Sequence, residues 1–164
     1  MIWCNIAGMT AEDKSGPGLK FPPPLLVLAT IGCAWLVDAI RPLPIVDGGV
    51  LWLGGTAIIA IALLVALIAL VHFFVAKTHV EPWHPTTVII RNGVYRFSRN
   101  PIYLAFCIAT VGAGLVLNSW WVVVSVTILK PLLEHLVISR EEIYLEKKFG
   151  EAYLEYKRQV RRWL

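Results

Sequence analysis

Ile58-Ile59-Ala60-Ile61-Ala62-Leu63-Leu64-Val65-Ala66-Leu67-Ile68-Ala69-Leu70-Val71 sits inside a run from about Gly49 to Ala76 that contains no Asp, Glu, Lys or Arg. At 1.5 Å per residue a helix of that length reaches roughly 40 Å, more than the hydrocarbon core of a bilayer requires. It has no polar face to turn toward water, so the medium it suits is lipid. The whole chain agrees: 164 residues, 57% hydrophobic, 16% charged, mean hydropathy +0.68. A water-soluble domain of this size needs more polar surface.

Three further apolar runs flank this one. The first, Phe21 to Ile40, opens on Pro22-Pro23-Pro24, tolerable where helix amides are unpaired anyway, and stops at Arg41-Pro42-Leu43-Pro44. The third covers Pro101 to Leu117, and the fourth extends from Ser119 to about Ile138. Asn118-Ser119 reads as a tight polar turn, so the last two runs are expected to form an antiparallel hairpin. Merging them would force about 38 residues through a core that needs about 20. The expectation is an all-α polytopic membrane protein with about four spans, at residues 21–40, 49–76, 101–117 and 119–138. One membrane-embedded domain, 21–164, follows a flexible leader, 1–20. That leader lacks a basic start, a long apolar stretch and a cleavage site, so the first span is expected to be an uncleaved anchor.

Basic residues orient this arrangement. Lys14, Lys20, Lys77, Arg91, Arg96, Arg99 and the tail residues Arg140, Lys147, Lys148, Lys157, Arg158, Arg161 and Arg162 all fall at one end, against Arg41 at the other. The positive-inside rule makes the loop from Lys77 to Asn100 and both termini cytoplasmic. Trp35, Trp52, Trp120 and Trp121 fall near the opposite ends of their spans, as an interfacial belt would. After Ile138 the fourth helix is expected to run on to Lys148, with Gly150 ending it and an amphipathic helix, Glu151 to Gln159, completing a cytoplasmic tail, 139–164.

Cys4, Cys33 and Cys107 are scattered and suggest neither a disulfide framework nor a thiolate metal site. His79 and His84 flank Pro82 without a converging carboxylate, so no metal is expected. No nucleic-acid partner is expected either.

Two polar features stand out. The loop before Pro101 is about two dozen residues long, with Thr87 to Ile90 extended and Asn92-Gly93 a turn pair. It is either a connection lying on headgroups or a ligand-presenting segment, and long loops in compact proteins favour the second. Within the fourth span, Lys130 and Glu134 stand four apart beside His135. They either neutralise each other or, with Pro131 widening the bundle, wall a polar cavity. Glu141 lies seven residues past Glu134 on the same helical face, and Glu142 seven past His135. These two carboxylates read either as solvated charges paired within the tail or as working groups.

The order Gly93-Val94-Tyr95, Arg99-x-Pro101-x-Tyr103, Glu141-Glu142-x-x-Leu145-x-x-x-Phe149-Gly150-x-x-Tyr153-x-x-Tyr156 and Val160-Arg161-Arg162-Trp163 resembles the integral-membrane isoprenylcysteine carboxyl methyltransferase and phospholipid methyltransferase family, in its bacterial form. The resemblance covers roughly Thr78 to Trp163. It implies a methyltransferase of the prokaryotic cytoplasmic membrane that uses S-adenosylmethionine, releases S-adenosylhomocysteine, and closes its cytoplasmic pocket with the C-terminal segment. It further implies cofactor contacts from Thr87, Val88, Ile89, Ile90, Tyr95, Asn100, Tyr103 and Glu141, and catalytic roles for Arg99, Glu141 and Arg140. Asn100 stands where the family usually has histidine, and Val137 where the prenylcysteine enzymes carry a substrate-binding arginine. The substrate cavity is expected around Glu134 and His135. Expected partners are membrane lipids and a lipophilic or small methyl acceptor: a carboxylate, a thiol or a phospholipid amine. The rival readings are a membrane carrier using Lys130, Glu134 and His135 as a polar path, and a lipid-binding scaffold using the basic tail.

Overall fold

A computed structural model describes residues 22–46, 51–78 and 86–164, all of whose regular structure is helical. The expected leader, Phe21 and the loop positions His79, Pro82, His84 and Pro85 lie outside the described residues. Helix α1 is Pro23–Ile40, α2 Trp52–Val75 and α3 Pro101–Val116. Then α4 (Trp120–Val124), α5 (Val126–Leu133), a π-helical turn (Glu134–Ile138) and α6 (Ser139–Phe149) follow each other as one rod. The final helix is α7, Glu151–Gln159.

Three helices are long and apolar enough to cross a membrane: α1, α2 and the 30-residue rod Trp120–Phe149. The expected third span is shorter than the others, 16 residues from Pro101 to Val116 or about 24 Å. The hairpin is present, with Asn118 taking positive φ at its tip. The protein is an integral membrane protein of helices alone among the described residues.

Helix α3 is the centre, with α2 against one side and α1, α4 and α5 against the others. Lipid is as apolar as leucine, so helices gain little from hiding hydrophobic surface from it and close approach must hold them instead. Gly55 of α2 and Gly112 of α3 supply that approach: a Cβ on Gly112 would lie 2.9 Å from the Gly55 carbonyl oxygen, and one on Gly55 2.7 Å from that of Gly112. A second cluster joins α1, α3 and the rod through Val27, Cys107, Leu129, Leu133, Val137 and Ile138.

At the tryptophan-bearing end, polar groups lock the turns. Ser119 Oγ donates to Asp38 at 2.8 Å, and Asn118 Oδ1 accepts from the amides of Ile45 and Val46. Trp121 Nε1 donates to the Arg41 carbonyl at 2.8 Å. The other end carries the remaining polar machinery.

There the rod changes pitch. Pro131 has no amide to give, and about two turns later Ser139 bonds to the Glu134 carbonyl through both its N–H and its hydroxyl. The π turn inserts one extra residue, rotating everything beyond it by roughly 100° relative to an unbroken helix. Glu134 and Glu141 therefore no longer share the face that a regular seven-residue spacing gives them. Gly150, at φ +53°, ends α6 and lets α7 fold back.

Candidate functional site: a cavity between loop and tail

The segment before α3 and the C-terminal segment meet along a seam of hydrogen bonds. Arg99 N–H donates to the Arg161 carbonyl at 3.0 Å. The Arg162 carbonyl accepts from Ser98 Oγ at 3.2 Å and from Asn100 Nδ2 at 3.1 Å. Tyr156 Oη donates to the Tyr95 carbonyl at 2.7 Å, and Arg91 donates to the carbonyl of Ala152. The loop approaches so closely because Gly93, at φ +60°, sits on the His72 ring at the end of α2.

Between these layers lies a cavity of about 870 Å³, open mouth included. Its apolar walls come from Phe73 of α2 and from Val88, Ile89 and Ile90 of the loop. Its aromatic walls are Tyr95, Tyr103, Tyr144, Tyr153 and Tyr156, and its charged groups are Arg99, Glu141 and Glu142.

Each charged group has a definite setting. Tyr103 Oη donates to Glu141 Oε1 at 2.6 Å, fixing that carboxylate against α3. Glu142, 5% exposed, accepts from Arg162 twice, 3.1 Å from Nε and 2.6 Å from Nη2, and lies 3.2 Å from Arg99 Nη1. The Arg99 side chain is 7% exposed, yet its Nε and Nη1 have no hydrogen-bond acceptor. A buried guanidinium with idle donors is costly, and it matches a ligand that brings an anion. Burial pushes the Tyr153 phenol up to about 12 and raises Tyr95 and Tyr156 further, so all three are neutral donors at any ordinary pH.

Of the residues expected to hold a cofactor, Val88, Ile89, Ile90, Tyr95, Asn100, Tyr103 and Glu141 line this one cavity. Thr87 is exposed and ties its amide to Thr78 Oγ1 at 2.9 Å. Arg99 and Glu141 are in the lining, whereas Arg140 is exposed on α6 and outside it. Glu134 and His135 also fall outside it: Glu134 accepts from the Trp163 indole, His135 is exposed, and Lys130 Nζ lies 5.5 Å over the Trp163 ring. Val137 is fully buried in the apolar cluster. Glu142 is neither a solvated charge nor a partner for the lysines alone. No periodicity points to its pairing with Arg162, twenty residues on; only the fold-back at Gly150 makes it. Among the described residues no group of His, Cys, Asp and Glu is placed to hold a metal.

A family model described as phospholipid methyltransferase matches residues 52–152, a range that includes the cavity up to α6 and stops inside α7. Over 44 residues the chain is 50% identical to an uncharacterized protein of Haemophilus influenzae, spanning 27% of this chain and 67% of that one. No solved structure matches.

Proposed function

The chain belongs to the phospholipid methyltransferase family, and from that premise we propose that it is an S-adenosylmethionine-dependent methyltransferase acting on a lipophilic or small acceptor at the membrane. The observation that carries the reading is one cavity lined by the buried Arg99, whose Nε has no acceptor, by Glu141 and by a ring of tyrosines. These groups fit the donor's three features: a carboxylate for Arg99, an amino or ribose group for Glu141, and a sulfonium for the aromatic faces.

When bound, the cofactor would supply an electrophilic methyl carbon on a sulfonium, whose C–S bond would break as the acceptor lone pair bonds to that carbon, the neutral thioether leaving. The protein needs no nucleophile of its own for this; it must hold, orient and exclude water. Arg99 and Glu141 are the anchors, and Val88 to Ile90 form the dry wall. The Tyr103 hydroxyl keeps Glu141 aimed. Positioning the acceptor within about 3–3.5 Å of the methyl carbon supplies much of the rate. The tail is seamed to the loop through the Arg161 and Arg162 carbonyls, which supports a role for it in closing the cavity. The basic residues at this end support a cytoplasmic site, and a bilayer-embedded bundle suits an acceptor that enters from lipid. The acceptor is a carboxylate, a thiol or a phospholipid amine.

Incubating membranes containing the protein with donor labelled in its methyl group tests the activity. The expected result is label in lipid, protein or volatile product that disappears with Glu141→Gln; label incorporation equal to that of membranes without the protein removes the proposal.

A further inference from the structure

Glu142 plays no part in the contacts assigned above, yet it is the most heavily partnered charge in the described structure. One carboxylate receives the Arg162 guanidinium as a two-bond fork, stands 3.2 Å from Arg99 Nη1 and lies 3.9 Å from Lys157 Nζ. Arg162 belongs to the C-terminal segment, Lys157 to α7 and Arg99 to the cavity wall. A buried carboxylate is tolerable only with such compensation. The geometry is also unequal. Arg162 is hydrogen-bonded to Glu142 through two nitrogens, whereas Arg99 meets it by charge at Nη1, and its Nε has no acceptor.

We propose that Glu142 is a positioning residue joining two events: docking of the C-terminal segment through Arg162, and aiming of Arg99 into the cavity. The inference rests on the donor reading above and deepens it. With the fork in place, the Glu142 carboxylate is fixed and holds Arg99 by its Nη1 charge contact at the cavity wall, with Nε, which has no acceptor, available to the donor's carboxylate. Without it, Arg99 turns to whatever acceptor it can reach and the tail loosens. Linkage is reciprocal, so a ligand that engages Arg99 also tightens the tail.

Two ligands separate positioning from mere structural support. S-adenosylhomocysteine carries the amino-acid carboxylate; methylthioadenosine lacks it. With full-length protein in lipid nanodiscs, Glu142→Gln and Arg162→Gln are each expected to weaken S-adenosylhomocysteine about tenfold to a hundredfold, while methylthioadenosine changes less than about threefold. The double variant is expected to lose little beyond the worse single one, because both remove the same link. Glu142→Asp is expected to regain part of the loss. S-adenosylhomocysteine is expected to slow tryptic cleavage after Lys157 and Arg158 in the wild type and not in Glu142→Gln.

Arg162→Gln removes the same fork from the tail side and keeps the test valid if Glu142→Gln does not fold. Equal loss of both ligands makes Glu142 a structural residue and overturns the inference, as does additive loss in the double variant. Wild-type binding of S-adenosylhomocysteine with both single variants unaffected overturns this inference alone. A wild type that binds no S-adenosylhomocysteine overturns the donor reading and this inference with it.

Discussion

The hydroxyl of Tyr156 donates to the carbonyl oxygen of Tyr95 across 2.7 Å, joining α7 to the loop before α3 although the residues are 61 apart in sequence. Both side chains are buried, at 4% and 6% exposure. Water cannot replace that bond. Tyr156→Phe leaves a buried carbonyl unpaired and is expected to cost about 1–3 kcal/mol. The check is faster amide exchange over residues 93–97 and a lower thermal midpoint, with helix content unchanged.

Gly93 has no room for a side chain. Its φ of +60° suits glycine, and a Cβ would lie 2.1 Å from His72 Nε2. Gly93→Ala combines backbone strain of about 1–3 kcal/mol with a clash that pushes His72 against Tyr95. It is expected to lower the thermal midpoint and to weaken S-adenosylhomocysteine binding together. Unchanged binding with lowered stability would detach this turn from the site.

Glu141→Gln keeps the shape of the side chain and removes its charge. Hydrogen bonds to a charged group are worth about 1.5–3 kcal/mol, so S-adenosylhomocysteine is expected to bind about tenfold to a hundredfold more weakly by calorimetry. Tyr103→Phe, which removes the 2.6 Å bond that aims Glu141, is expected to show a smaller loss in the same direction.

Tyr153 sets an alkaline limit. Burial raises its pKa from 10.0 to about 12 in the folded protein, with the Glu142 charge adding to the rise. The fold thus favours the protonated phenol: its contribution to stability is complete below about pH 10 and is lost as pH climbs from 10 to 12. Tyr153→Phe is expected to make that part of the stability profile shallower in thermal melts across this range, the remaining slope belonging to Tyr95 and Tyr156, which burial also raises. An equally steep fall in the variant would assign the alkaline loss to those other groups.

Much of the architecture was legible because the bilayer simplifies the code. Gly49 to Ala76 has one physical reading, and α2 at Trp52–Val75 matches it. The Asn118-Ser119 turn and the Phe149-Gly150 break were equally plain, since polar pairs and glycine after apolar helix leave few alternatives. The third run reads as 101–117 and α3 is Pro101–Val116, short because it is bounded by Pro101 and the Asn118 turn. The cavity lining was legible through motif order alone, as no local pattern brings Val88 near Tyr153.

What escaped the sequence depended on geometry that spacing does not encode. A seven-residue interval aligned Glu134 with Glu141, but the π turn beyond Pro131 rotates them apart. Lys130 and Glu134 instead meet the Trp163 side chain, brought back by the chain's final reversal. Glu142 resembled an exposed tail charge for the same reason: its partner Arg162 arrives only after α7 folds under α6. The catalytic role for Arg140 comes from the resemblance alone, and its place on α6 leaves it exposed and outside the cavity lining.

Hydrogen exchange with and without S-adenosylhomocysteine tests the central claim, that loop and tail enclose one donor site. The account predicts saturable slowing of exchange in residues 86–100 and in 151–162 at the same ligand concentration. Absence of saturable protection, or protection confined to one of the two segments, would contradict it.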